Sequence, residues 1–208
     1  MSLNNKPKRM LVAILGLLSG AFINGAGAED VANFAAPLHA EYERPGVDWS
    51  TYDKLMVNDL DVSRTKIIPP PWKDQQAFRW EVSEKNVTVL QKEFHKSMEE
   101  QISGNDGYEI VTEPGDGVLD LTLEILSFMP YADRDEDVLT KGSGEMHINV
   151  MVRDSQTGQL VAIMEGPQEV GSDYDQNTDF SRQKNLKMLF DSWGARVRIA
   201  MDRDSHQH

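Results

Sequence analysis

The stretch GEMHINVMVRDSQTGQLVAIMEGPQEV, Gly144–Val170, decides the fold. Met146, Ile148, Val150 and Val152 alternate with Glu145, His147 and Asn149, the period of two that a strand shows when one of its faces is buried. Asp154-Ser155-Gln156-Thr157-Gly158 then breaks the pattern with turn chemistry. The Asp154 carboxylate can accept backbone N–H bonds two residues on, and Gly158 can take a positive φ without a Cβ penalty. Leu160, Ala162 and Met164 resume the alternation. The spacing predicts a hairpin of two antiparallel strands on which the rest of the chain packs.

Upstream, Leu119, Leu121, Leu123 and Ile125 alternate with Asp120, Thr122 and Glu124, predicting another half-buried strand with its carboxylates on the wet face. Lys54–Val62 is apolar in both parities and reads as an inner strand, with Trp49 and Tyr52 near its start; Tyr108–Val111 reads as a short one. Val87, Leu90, Phe94, Met98 and Ile102 recur at steps of three and four, predicting a helix from Ser83 or Glu84 to Ser103. Leu186, Leu189, Phe190, Trp193, Val197, Ala200 and Met201 predict a second, from Phe180 or Ser181 to Asp202. An early helix before a run of antiparallel strands implies an α+β fold, a two-layer sandwich. Its sheet is expected to be mainly antiparallel, of about five strands, with two helices on one face. The domain is expected over residues 47–202, after an extended arm over residues 29–46 and before a flexible tail over residues 203–208.

The first 28 residues have another character. Lys6, Lys8 and Arg9 precede an apolar run from Met10 to Phe22, and Ala26-Gly27-Ala28 follows. A basic start, a short apolar run and an A-x-A site make a secretory signal peptide, cleaved after Ala28. The run is shorter than the roughly 20 residues that span a bilayer. Leu18-Ser19-Gly20 approaches a bacterial lipobox, but Ala21 stands where the lipidated cysteine would be, and the 208-residue chain contains no cysteine at all. Thioether lipidation, disulfides, cysteine nucleophiles and Cys-type zinc sites are thereby excluded. The mature protein is expected in the periplasm without a stable membrane anchor. Its charge excludes another class. Losing three of the 21 basic residues leaves 18 against 34 acids, a formal −16, which repels nucleic acid and anionic head groups.

The segment Ser63–Trp80 is unlike its neighbours. Ile67-Ile68-Pro69-Pro70-Pro71-Trp72 and Ala77-Phe78-Arg79-Trp80 place large apolar groups where consecutive prolines forbid helix or inner strand. A loop of this length is expected to serve recognition, through Pro70, Trp72, Phe78 and Trp80, of an envelope protein or polymer. The alternative is that its rings complete the core.

Other constellations fall short. Asp133, Asp135 and Asp137, and again Asp173, Asp175, Asn177 and Asp179, have the alternate spacing of a calcium loop. Neither run has glycine at the sixth position or glutamate at the twelfth, so both read as solvated acidic loops and no metal is expected. His39, His95 and His147 form no H-E-x-x-H pair and show no triad partners. Asp120 and Glu124 have the look of a general acid and base, and equally that of any wet strand face. Gly115 and Gly117 lead into no helix and so cradle no phosphate, and no cofactor is expected.

Tyr52-Asp53-Lys54-Leu55-Met56-Val57, Glu113-Pro114-Gly115-Asp116-Gly117-Val118-Leu119-Asp120-Leu121, Gly144-Glu145-Met146 and Asp154-Ser155-Gln156-Thr157-Gly158-Gln159-Leu160, together with the Trp193 helix, span most of the mature chain. On these residues the chain resembles a family of uncharacterised bacterial envelope proteins, mostly lipoproteins, known as domain of unknown function 3313. The resemblance implies an envelope location and carries over no functional residues. A lipoprotein of the family would have cysteine where this chain has Ala21. The function expected is that of a non-catalytic periplasmic accessory or binding protein. The alternative is a hydrolase acting on an envelope polymer through carboxylates.

Overall fold

A computed structural model of the chain describes residues 30–74, 78, 80 and 83–205. The expected signal peptide, over residues 1–28, and the last three residues of the expected tail lie outside the described residues. In chain order the elements are β1 (His39–Glu43), a 3-10 turn (Trp49–Thr51), β2 (Lys54–Val57), β3 (Lys66–Ile67), α1 (Glu84–Ile102), β4 (Glu109–Ile110) and β5 (Val118–Pro130). Then come β6 (Leu139–Lys141), β7 (Gly144–Asp154), β8 (Leu160–Val170), β9 (Tyr174–Gln176) and α2 (Asp179–Ser205).

The fold is mixed α+β. Its main sheet has seven strands rather than about five, in the order β1-β8-β7-β5-β2-β4, with β3 also on β5. β5, β7, β8 and β1 pair antiparallel, whereas β2 and β3 run parallel to β5, and β4 runs parallel to β2. The expected short strand over Tyr108–Val111 is β4, and the two strands missing from the expectation, β3 and β1, are ones that periodicity cannot register. β3 has two residues, and four of the five β1 residues are exposed. β1 lies within residues 29–46, so part of the expected arm is an edge strand of the sheet, and α2 continues to Ser205, into the expected tail. A separate two-stranded sheet joins β6 to β9.

The period-two residues do what their spacing predicts. Leu119, Leu121, Leu123 and Ile125 of β5, and Met146, Ile148, Val150 and Val152 of β7, are buried in one cluster with Phe94, Met98 and Ile102 of α1 and Leu189, Phe190 and Trp193 of α2. The rings of Phe94 and Phe190 meet edge to face, 5.6 Å apart, where the two helices touch. Both helix starts are capped. Ser83 Oγ accepts the Asn86 N–H, and Thr178 Oγ1 accepts the Ser181 N–H.

The hairpin turn uses the predicted residues, with the Asp154 carboxylate reaching an N–H three residues on rather than two. Asp154 Oδ1 accepts the Thr157 N–H and hydroxyl, each at 2.7 Å, and Oδ2 accepts the Tyr52 hydroxyl at 2.9 Å. The Thr157 side-chain and backbone donors hold the Asp154 carboxyl below its ordinary range. Gly158 has φ +69, and a Cβ there would meet nothing within 4 Å. The strain of a left-handed β-branched residue therefore acts alone: Gly158→Val is expected to lose about 1–2 kcal/mol, and Gln156→Ala less than about 0.5 kcal/mol. Urea denaturation of the two variants checks this, and equal midpoints would contradict it.

Candidate functional site

Three consecutive prolines end β3 and turn the chain. The Ile68 N–H still reaches the Phe128 carbonyl at 2.9 Å, and the Lys73 N–H closes a turn onto the Pro70 carbonyl at 3.0 Å. This turn sends the four expected recognition residues in different directions. Pro70 is fully buried, and Phe78 is 8% exposed. Trp80 is half-buried, edge-on to the Phe128 ring at 5.7 Å and under the Arg182 guanidinium at 5.8 Å. Trp72 is 62% exposed, with its ring 5.8 Å from that of Tyr131. Both expectations for the loop thus meet in one segment: Phe78 joins the interior and Trp72 presents itself to solvent.

Salt bridges explain why the loop sits where it does. The Lys73 ammonium bonds Glu136 and lies 3.9 Å from Asp133, tying the Pro-Trp turn to the acidic loop. That bond from Lys73 pulls the Glu136 carboxyl below its ordinary value. Asn177 Nδ2 donates to the Asp133 and Glu136 carbonyls at 2.8 Å, and Arg182 bonds Asn177 and Asp179. The two acidic runs are therefore latched to each other and to the start of α2. Among the described residues, no group of three or more His, Asp or Glu is placed to hold a metal ion.

The same latch raises residues that sequence reading passed over. Leu139 is 62% exposed, Tyr174 74% and Phe180 77%. Leu139 and Tyr174 share the outer face of the β6–β9 pair, in which Lys141 opposes Tyr174, and Phe180 begins α2. Tyr131, under Trp72, is half-buried; burial, with Glu145 and Glu169 nearby, raises its phenol pKa. The missed signal was an isolated large apolar residue inside each acidic segment, where a purely solvated loop has no use for one.

The other candidates are engaged elsewhere. Asp120 accepts from Asn58, whose amide also reaches Thr122 Oγ1 at 2.9 Å. Glu124, expected on a wet face, is 4% exposed, because Asp61 bridges to it in parallel and Arg64 lies over its carboxylate at 2.6 Å. His95 lies 2.7 Å from Asp59, and His147 2.8 Å from Glu165 across the β7–β8 ladder. His39 is exposed on β1.

The profile described as Protein of unknown function (DUF3313) matches residues 32–197. The chain belongs to the DUF3313 family. No curated protein matches it. Among solved structures, this DUF3313 chain is similar to protein XCC0632 of Xanthomonas campestris, of the DUF330 family model, at 14% identity and TM-score 0.45, over 79% of this chain and 94% of that one. A PelC dodecamer subunit from Paraburkholderia phytofirmans follows at 7% and 0.37, over 76% and 96%. A putative neuraminyllactose-binding hemagglutinin homolog from Helicobacter pylori stands at 8% and 0.35, over 80% and 96%. These are distant likenesses, and the family assignment rests on the match over residues 32–197. No helix among the described residues is long and apolar enough to cross a membrane.

Proposed function

We propose that this DUF3313 protein is a non-catalytic binding module of the bacterial envelope, exported to the periplasm, which recognises a partner through its aromatic end. The observation that carries the reading is the 62% exposure of Trp72 on a turn stiffened by three prolines. A stiff backbone loses little entropy on binding, and exposed Trp and Tyr supply the area that dominates interface energetics. Leu139, Tyr174 and Phe180 extend that apolar area on segments latched to the same turn. Asp133, Asp135, Asp137 and Asp173 lie on the same two acidic segments as Leu139 and Tyr174, so the partner is a neutral or basic envelope protein or polymer. In this reading α1 and α2 form one layer over the inner face of the sheet, a two-layer sandwich with recognition at its end. Engagement of Asp120 by Asn58 and of Glu124 by Arg64 favours binding over hydrolysis, since neither carboxylate stands ready for a substrate.

Trp72→Ala tests the proposal. The exposed ring contributes little to folding, so stability is expected to change by less than about 0.5 kcal/mol. Capture of envelope components by the immobilised protein is expected to fall at least about tenfold, the loss of one interface hot spot. Val89→Ala, at a 40% exposed position on α1, is the control. A folded Trp72→Ala protein that captures its partners undiminished overturns the reading.

A further inference from the structure

At the other end of α2 from Phe180, an apolar cavity of about 100 Å³ lies between the helix and the sheet. Leu121, Leu123, Val150 and Met164 form its floor and are buried; Trp193 lines it from the helix. Trp49, Tyr52, Val197, Ala200 and Met201 also line it and are only partly buried, so the cavity reaches solvent beside the last turns of α2. A single water needs about 10–15 Å³ on this measure, and an apolar lining offers it few partners. Hydrocarbon fits such a space better than water does.

One charged side chain lines this space. Arg196 donates from Nε to the Ala32 carbonyl at 2.8 Å and from Nη2 to the Ala35 carbonyl. Those carbonyls are its partners among the described residues, and burial alone, with no carboxylate contributing, pulls the guanidinium below its ordinary pKa. An arginine that meets no carboxylate among the described residues is out of character in a chain with 34 acids against 21 basic residues. Two further polar side chains, both fully buried, hold the strap of residues 32–36 at the cavity edge. Ser192 Oγ accepts the Ala35 N–H and donates to the Ala32 carbonyl, each at 2.8 Å. Gln168 donates to the Ala36 carbonyl at 3.0 Å and accepts the Trp193 indole N–H at 3.1 Å. Burying such groups costs free energy that a plain apolar core avoids. Here they hold the strap of residues 32–36 against α2 beside Arg196, whose side chain lines the apolar space.

We propose that this cavity binds the hydrocarbon chain of a long-chain carboxylate, with the acid group at Arg196. The charge of the occupant follows from Arg196: a guanidinium with no carboxylate partner among the described residues, on a side chain that lines an apolar cavity, complements an anionic head on an apolar tail. The inference is independent of recognition through Trp72, which lies at the opposite end of α2.

The test is calorimetric titration of the purified full chain with dodecanoate and, separately, with dodecanol. Saturable dodecanoate binding at one site is expected, weakened about tenfold by Arg196→Gln, with dodecanol binding unaffected by that substitution. Ala200→Trp, which fills the lining one helical turn from Arg196, is expected to weaken both probes at least about tenfold. If that variant does not fold, Met201→Trp fills the same role from the rim. Absence of saturable binding, or binding unchanged in the folded cavity-filling variant, overturns the site. Equal responses of dodecanoate and dodecanol to Arg196→Gln overturn the anionic occupant.

Discussion

Trp193→Ala is expected to destabilise the domain by about 3–5 kcal/mol, among the largest losses for a single truncation in this fold. Trp193 is 4% exposed, its ring lies 5.2 Å from that of Phe190, and its indole N–H donates to Gln168. Truncation removes the ring's buried area and enlarges a space that is already incompletely filled. It also leaves the Gln168 carbonyl oxygen without its donor, at a cost of about 1–3 kcal/mol for a buried polar group. Trp193→Phe separates these contributions. It keeps most of the ring and loses the hydrogen bond, so about 1–2 kcal/mol is expected. Chemical denaturation of both variants decides the matter, and a loss below about 1 kcal/mol for Trp193→Ala would place this helix face in solvent.

Gly142→Val is expected to cost about 3–5 kcal/mol, well beyond Gly158→Val, from backbone strain and overpacking together. Both glycines have positive φ, +72 and +69, so the conformational strain is shared. Their surroundings differ. A Cβ on Gly142 would overlap the Gly171 carbonyl oxygen and stand 2.8 Å from that of Val170. The Val170 oxygen cannot step aside without losing the Ser143 N–H at 2.6 Å, and the bond from the Gly142 N–H to the Asp173 carbonyl at 2.8 Å pins the segment that carries the Gly171 oxygen. This corner joins β6 and β7 on one side to β8 and β9 on the other, and so carries Leu139 and Tyr174. Gly142→Val is therefore expected to lose partner capture before it unfolds completely. Hydrogen exchange at β6 and β9 faster than at β5 would report that local opening, whereas Gly142→Val and Gly158→Val with equal midpoints would contradict the crowding.

Much of the architecture was legible because burial leaves a period. In β5, β7 and β8 one face packs on helices, so alternate positions must be apolar, and the pattern names both the strand and its inward side. The two amphipathic helices and the Asp154–Gly158 turn were legible for the same reason: spacing or backbone geometry restricts which residues can occupy them. Glu124 was misjudged because alternation reports which side of a strand is polar, not what later lies against it. Arg64, 60 positions earlier, covers that carboxylate. The aromatic end was half legible. The prolines marked an unusual turn, but the composition of Ile67–Trp80 is the same whether a ring points inward or outward.

The sequence by itself determined the α+β class, three long strands with their buried faces, two helices and one turn, because each is a local pattern imposed by burial or backbone sterics. Only the tertiary structure decided that β1 joins the edge of the sheet, that β2 and β3 run parallel to β5, and that Phe78 is buried while Trp72 is exposed. It alone also placed Arg196 beside an apolar cavity. Strand pairing uses backbone groups that every residue but proline offers alike, and the direction of a loop side chain depends on segments distant in the chain, so neither is written in a local pattern.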